Sequence, residues 1–309
     1  MRIEVPRALA DAHIRHLGPR GPAWTAGLPA LAEAYLRRWR LRLDGPATHG
    51  MVALVLPVRR ADGTPAVLKL QPSDEETRGE PAALRAWEGR GAVRLIDADT
   101  TDTRACALLL ERLGRPLTTL PGHLAATRIV AGLLARLHAV PPPPGLRRLG
   151  DIAGAMIAAA PAARRALTDP ADRRLLDVCT SAVRDLTDDP GQRLLHWDLH
   201  DGNVLHAPGD ADPWHAIDPK PLVGDPAFDL MPMLHNRWDD AVATGDPARA
   251  VRDRFDLMTD MLGLQRPRAA GWTLGRVLQN TLWDVEDGAH AFDPVQRLIA
   301  EALHGDYRP

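Results

Sequence analysis

The sequence predicts an α+β protein in two lobes, a small N-terminal lobe built on an antiparallel sheet and a larger, mainly helical C-terminal lobe. Three observations carry this expectation. The chain has 309 residues, more than the roughly 250 at which a single hydrophobic core stops growing, so two compact lobes with a ligand-holding cleft between them are expected. Up to about residue 113, short apolar runs alternate with turn residues, as strands do. Beyond that point the apolar residues recur three and four apart, as on amphipathic helices. The expected division is therefore 1–113 and 114–309.

Each element follows from local pattern. Residues 51–58, Met-Val-Ala-Leu-Val-Leu-Pro-Val, read as a buried strand, and 65–70 as its hairpin partner across the turn Ala61-Asp62-Gly63-Thr64. Ser73 followed by Glu76 has the form of a capping box, and Leu84 and Trp87 recur at helical spacing. One helix is thus expected within 74–88, with Pro81 starting or kinking it. Residues 93–96 and 105–110 supply further strands. Ile129, Leu133, Leu134 and Leu137 line a helix that must stop before the four prolines at 141–144, which have no N–H to donate. Helices are expected over 152–160, 172–186, 248–262, 273–285 and 294–303, interrupted by one non-helical island over 194–230.

Composition excludes several classes of function. Lys+Arg 38 against Asp+Glu 40 leaves a net charge of -2, with no basic footprint for a nucleic acid partner. Cys106 and Cys179 are the two cysteines, too few for a disulfide framework or a structural zinc site. No apolar run approaches the length of a membrane span, and Arg2, Glu4, Arg7, Asp11 and Arg15 interrupt any signal-peptide core. A monomeric, cytoplasmic protein without membrane contact is expected. Of the 38 basic residues only Lys69 and Lys220 are lysines. Where charge alone suffices this chain uses arginine, so each lysine raises a question.

The island carries the chemistry. It reads His196-Trp197-Asp198-Leu199-His200-Asp201-Gly202-Asn203, then Ala216-Ile217-Asp218-Pro219, then Gly224-Asp225-Pro226-Ala227-Phe228-Asp229. Phosphoryl transfer needs a carboxylate to accept the proton of an attacking hydroxyl, and oxygen ligands to hold magnesium against nucleotide phosphates. Asp198 is the candidate base. Asn203, five residues on, and Asp218, after a short strand candidate at 215–217, are the candidate metal ligands, and Lys69 on a strand of the other lobe is placed to reach the phosphates. His196 is expected to brace the backbone, and Asp225 and Asp229 to brace the loop. For Lys220 nothing in the sequence requires a cation.

In this order, His196-x-Asp198-x-x-x-x-Asn203, Asp218 and the upstream Lys69 resemble the aminoglycoside phosphotransferases, which share the protein kinase fold. His-Trp-Asp-Leu-His at 196–200, Ala-Ile-Asp-Pro at 216–219, Leu-Val-Gly-Asp-Pro at 222–226 and Leu-Gln-Asn-Thr-Leu-Trp-Asp-Val-Glu-Asp-Gly at 278–288 are similar to its streptomycin 6-kinase branch. The resemblance implies a protein-kinase-like two-lobe fold. It also implies transfer of the γ-phosphate of ATP, with GTP an alternative, to the 6-hydroxyl of the streptidine ring, with Mg2+ as cofactor. Hydroxyurea and viomycin-type antibiotics are the alternative acceptors, and a nucleotide-binding pseudokinase the alternative outside enzymes. The first lobe would bind the nucleotide and the second the acceptor.

The resemblance implies Asp198 as base, Asn203 and Asp218 as magnesium ligands and Lys69 as the phosphate-binding lysine. Glu80 or Glu76 would pair with Lys69, and the backbone of Glu111, Arg112 and Leu113 would hold the adenine. The glycine-rich loop of protein kinases is reduced to Gly45 and Gly50 around Ala47-Thr48-His49, and Asp-Phe-Gly is replaced by Asp218-Pro219-Lys220. A regulated activation loop is not expected. Streptomycin is cationic, so its pocket calls for acids and an aromatic face. Candidates are Asp256 and Asp260, four apart on one helix, and Trp283, Asp284, Glu286 and Asp287 at the end of another. Trp197 either walls the acceptor site or fills the lobe junction.

Overall fold

The computed structural model describes residues 3–102, 104–207, 209 and 213–307. The chain divides into two compact units, Met1–Gly114 with Ala207–Asp210, and Arg115–His206 with Ala211–Pro309. The fold is α+β and protein-kinase-like.

The first unit opens with two helices, α1 (Arg7–Leu17) and α2 (Gly21–Arg38). The sequence reading did not find them. Five of the eleven residues of α1 are Arg, Asp or His, interleaved with apolar ones, and Leu9, Ala12 and His13 are its buried positions. In α2, Pro22 lies in the first turn and Pro29 inside the helix, where a missing N–H breaks the usual pattern. The strands are β1 (Arg42–Leu43), β2 (Thr48–His49), β3 (Leu54–Arg59) and β4 (Pro65–Pro72). Helix α3 (Glu80–Trp87) then precedes β5 (Leu95–Asp99) and β6 (Ala105–Glu111). The antiparallel sheet runs β1-β3-β4-β6-β5, with β2 on β3.

Leu9, Leu28 and Ala32 of the helices bury one sheet face together with Leu54, Leu56, Leu68, Leu70 and Leu109. Because strand side chains alternate, Lys69 and Gln71 of β4 face the other way. Two local expectations need correction. The strand at 51–58 begins only at Leu54, because Gly50 N–H donates to Ala53 O and turns the chain, leaving Met51 exposed. Ser73 does not cap α3, which has no side-chain cap; a separate turn precedes it, in which the Asp74 carboxylate accepts the N–H groups of Glu76 and Thr77. The helix then starts at Glu80, with Pro81 in its first turn.

The second unit contains α4 (His123–His138), β7 (Arg147–Arg148), α5 (Leu149–Ala166), α6 (Pro170–Leu186), β8 (Arg193–Leu195), β9 (Val204–His206), β10 (Trp214–Ala216) and β11 (Leu222–Gly224). It continues through α7 (Met231–His235), α8 (Trp238–Ala243), α9 (Pro247–Leu262), α10 (Arg266–Glu286) and α11 (Pro294–Leu303). Helix α10 is the spine, buried on all sides from Ala269 to Gln279 and packed against α5, α6 and α11. Gly271 and Gly275 make the α6 contact possible: a Cβ would meet Leu186 at 2.8 Å and Val183 at 3.1 Å.

Two small pairings position the chemistry. Strand β11 pairs with β7 and β8, and β9 with β10. The loop at 196–203 is therefore strung between β8 and β9, and the loop at 217–221 between β10 and β11. Cys106 and Cys179 are buried and free, and burial pushes both thiols up to about 12. Among the described residues no helix is long and apolar enough to cross a membrane.

Candidate active site

In the first unit, the Lys69 ammonium lies 2.7 and 2.8 Å from the two carboxylate oxygens of Glu80. Gln71 Nε2 donates to Glu80 Oε2 at 2.6 Å. Glu80 thus pairs with Lys69, and the backbone N–H of Glu76 takes part in the Asp74 turn. The reason is helix phase: α3 begins at Glu80, whose side chain faces β4, whereas Glu76 precedes the helix. The pair is almost fully buried, with side-chain exposures of 6% and 1%, so removing either partner would strand the other charge. Strand β6 ends at Glu111, whose carboxylate accepts Arg94 N–H at 2.7 Å. The Arg112 guanidinium reaches back to Asp44 and to Val58 O, at 2.7 and 2.6 Å.

In the second unit, the loop at 196–203 is held by buried polar groups. Asp229 is the anchor. Its Oδ2 accepts His138 Nε2 at 2.8 Å and His196 N–H at 3.0 Å, and its Oδ1 accepts Trp197 N–H at 2.6 Å. Burial alone would push this carboxyl up. The hydrogen bond and charge of His138, with His196 behind them, outweigh that and hold it below its ordinary value. Trp197 sits at φ 68, a left-handed conformation that a bulky residue rarely adopts. The two amide bonds to Asp229 hold it there.

His196 links this loop to the next. Its Nδ1 accepts Asp198 N–H at 3.3 Å, so Nε2 carries the proton and donates to Ile217 O at 3.1 Å. Burial lowers its pKa, in keeping with a neutral ring whose two nitrogens are both engaged. Asn203 Nδ2 donates to Asp198 O at 2.9 Å, which fixes the amide and turns its oxygen away. Asn203 O in turn accepts Ile217 N–H at 2.9 Å. Asp218 follows directly, at φ 59. Asn203 and Asp218 thus stand side by side at the end of the β9–β10 hairpin.

That donor set suits magnesium, which takes one or two carboxylates and completes its shell with phosphate and water oxygens. Among the described residues no group of three His, Cys, Asp or Glu is arranged to hold a metal ion. An all-protein cage is therefore not what these residues form.

Lys220 was expected to have no role, and the structure corrects this. Its ammonium lies 3.6 Å from Asp198 Oδ2, and its N–H donates to His196 O at 3.1 Å. The signal in the sequence was its rarity.

The predicted acceptor residues separate. Trp197 is buried at 3% exposure, with Arg147 and Arg276 guanidinium carbons 4.4 and 5.3 Å from its ring centroid. It backs the loop rather than presenting a face. Trp283, at 42% exposure, packs against it with centroids 6.1 Å apart. This contact ties the C-terminal end of α10 to the loop of Asp198. Asp256, by contrast, pairs with Arg266 at the first residue of α10, which also bonds Asp306. Seventeen residues of helix separate Arg266 from Trp283, about 25 Å at 1.5 Å per residue. Asp256 and Asp260 therefore lie at the far end of α10 and do not belong to this site. Glu286 also drops out: two residues after Asp284 on a helix, it points to nearly the opposite side.

What gathers around Asp284 instead is Asp287 with two residues the sequence reading missed, Asp293 and His235. Burial raises the Asp284 pKa most, and the charges of Asp293 and Asp287 add to it against an opposing pull from His235. Asp293 read as a routine helix cap, and it is one, accepting Val295 and Gln296 N–H groups. Burial lowers the His235 pKa most, the charges of His200 and Arg276 add to this, and those of Asp293 and Asp284 oppose it.

A lysine–glutamate pair on a small sheet and an Asp–Asn–Asp set on loops of a helical unit are the residue types that phosphoryl transfer to a hydroxyl uses, and the chain's relatives are kinases of that class. The matched family is narrower: the profile of aminoglycoside/hydroxyurea antibiotic resistance kinases matches residues 38–288, and the chain belongs to that family. It is 56% identical to a Streptomycin 6-kinase of Streptomyces glaucescens over 98% of each chain. It is 51% identical to a Hydroxyurea phosphotransferase of Kitasatospora aureofaciens, over 98% of this chain and 86% of that one. Among solved structures, aminoglycoside phosphotransferase APH(4)-Ia has the same fold, with a TM-score of 0.60 at 15% identity over 91% and 99% of the two chains.

Proposed function

We propose that this kinase transfers the γ-phosphate of ATP to the 6-hydroxyl of the streptidine ring of streptomycin, and so confers resistance to it. The observation that carries the reading is the contact of Trp283, at the end of α10 that bears Asp284 and Asp287, with Trp197 next to Asp198; the charges of Asp293 and Asp287 add to the raised pKa of Asp284. Streptomycin brings two guanidinium groups and an amine, and crowded carboxylates are what such a cation relieves. The 56% identical relative named for streptomycin supports it. The hydroxyurea relative at 51% identity favours a second acceptor. Hydroxyurea is small and uncharged, however, and leaves the acid cluster uncompensated.

In this reading Asp198 accepts the acceptor proton and aims its oxygen, while Lys69, oriented by Glu80 and Gln71, binds nucleotide phosphate. The backbone of Glu111, Arg112 and Leu113 receives the adenine. Asn203 and Asp218 hold Mg2+, which supplies charge neutralisation of the phosphates when bound. We infer that the enzyme works as a monomer in the cytoplasm, where ATP is available.

Incubation with MgATP and streptomycin, followed by NMR of the product, tests the assignment. Phosphate on the streptidine 6-hydroxyl is the expected result; another position, or preferential transfer to hydroxyurea or viomycin, overturns it. Lys69→Ala is expected to weaken MgATP binding at least about tenfold by calorimetry, because a charge-assisted contact to phosphate is lost.

Neutralising Asp284 and Asp287 together is expected to raise KM for streptomycin more than about tenfold while KM for ATP stays within threefold. The acid cluster also sets a pH dependence. The raised pKa of Asp284 means that it takes up a proton as pH falls, whereas the guanidinium groups stay charged. KM for streptomycin is therefore expected to rise toward acid pH, and the rise to flatten in Asp284→Asn.

A further inference from the structure

Lys220 stands closer to the reacting groups than a surface cation should. Three features place it there. The left-handed turn at Asp218 (φ 59) sends the chain back toward the loop of Asp198. Pro219 stiffens the next step, and Lys220 N–H is tied to His196 O at 3.1 Å. The ammonium consequently lies 3.6 Å from Asp198 Oδ2, on a side chain 39% exposed.

Stability does not account for this contact. A half-exposed pair at that separation contributes little to folding. Residue choice is also informative. In a chain whose other basic residues, Lys69 apart, are all arginine, a lysine here is chemically distinct: a compact charge with three donors on a flexible stem. A guanidinium tends to lock onto a carboxylate through two parallel bonds and hold it. An ammonium can share itself between Asp198 and a second anion.

Geometry identifies that second anion by class. An acceptor hydroxyl bonded to Asp198 lies within about 3 Å of it, and the attacked phosphorus about 3 to 3.5 Å further on. A cation already within 3.6 Å of the carboxylate reaches a non-bridging phosphoryl oxygen by rotating its own side chain. We propose that Lys220 is a catalytic residue: it steadies Asp198 toward the acceptor and donates to the phosphoryl group during transfer. This rests on the kinase reading of Asp198 given above. The acceptor O–P bond forms as the bond between the γ-phosphorus and the bridging oxygen breaks, and the electron pair of the broken bond leaves on ADP. The hydroxyl proton passes to Asp198, and Lys220 stays protonated throughout.

The test compares Lys220→Met, Lys220→Gln and Lys220→Arg with Asp198→Asn, all as full-length protein. Two readouts are used: steady-state kinetics with ATP and streptomycin, and calorimetric binding of MgADP with and without aluminium fluoride, a mimic of the phosphoryl group in flight. For Lys220→Met and Lys220→Gln, kcat is expected to fall about a hundredfold, the range seen when one donor to developing charge is removed. KM for ATP and MgADP affinity should stay within threefold of wild type. The tightening of MgADP by aluminium fluoride, which needs no acceptor, should be present in wild type, absent in both neutral variants and partly restored in Lys220→Arg. A kcat within threefold of wild type in both neutral variants, or tightening that persists in them, overturns the proposal. Loss of turnover in Asp198→Asn with retention in Lys220→Met rejects the role of Lys220 alone, whereas retention in Asp198→Asn rejects the underlying reading of the site.

Discussion

Replacing Asp198 with Asn is expected to lower kcat by at least about a hundredfold while MgATP affinity stays within threefold of wild type. The substitution keeps size and shape and removes the negative charge with which the side chain accepts the proton. Asp198 is partly exposed, and its backbone bonds to His196 and Asn203 do not involve the carboxylate. Folding should therefore be intact, and the thermal transition provides the check. Steady-state kinetics on the purified variant decide the matter: turnover within tenfold of wild type would remove Asp198 from the role.

Asp229→Ala is expected to destabilise the second unit by about 3 to 5 kcal/mol, the cost of leaving buried partners of a charge unpaired. Three donors lose their acceptor at once: His138 Nε2, His196 N–H and Trp197 N–H. The midpoint of thermal unfolding should fall on the order of 10 °C. Turnover should fall too, because the left-handed backbone of Trp197 loses the bonds that hold it one residue before Asp198. A change of under 2 °C would falsify the anchoring role.

The same residue has a pH signature with a definite sign. Its pKa is lowered in the folded state, so its stabilising contribution is complete above the unfolded-state value of about 3.9. That contribution is lost as pH falls through the lower folded value. Acid unfolding of wild type should show this step, and Asp229→Ala should lack it.

How much of this was legible in the sequence varies with the physics involved. Strands β3 and β4 and helices α4, α6, α9 and α11 were visible because their apolar residues recur with a period, and β6 and the buried stretch of α10 because theirs run together. Helices α1 and α2 were not, since charged residues and histidines interleave with the apolar ones in the first and Pro29 interrupts the second. The two loops that carry Asp198 with Asn203, and Asp218, were legible because their residue types and spacing follow from what phosphoryl transfer demands.

Contacts between distant residues set the remainder. Glu80 meets Lys69 because α3 starts where it does, and a sequence with proline at 81 leaves that start open by a full turn. Asp256 and Asp284 look alike as acids on helices, yet a salt bridge pins one to the beginning of α10 and an indole contact brings the other end of the same helix to the loop.

The sequence by itself determined the α+β division, the order of the chemistry-bearing residues and the kinase class, since these depend on periodicity and local spacing. Only the tertiary structure decided which end of α10 meets the loop of Asp198, what anchors that loop and where Lys220 points. Those are distances across 20 to 90 positions of chain, set by how helices and hairpins pack, and no local pattern encodes them.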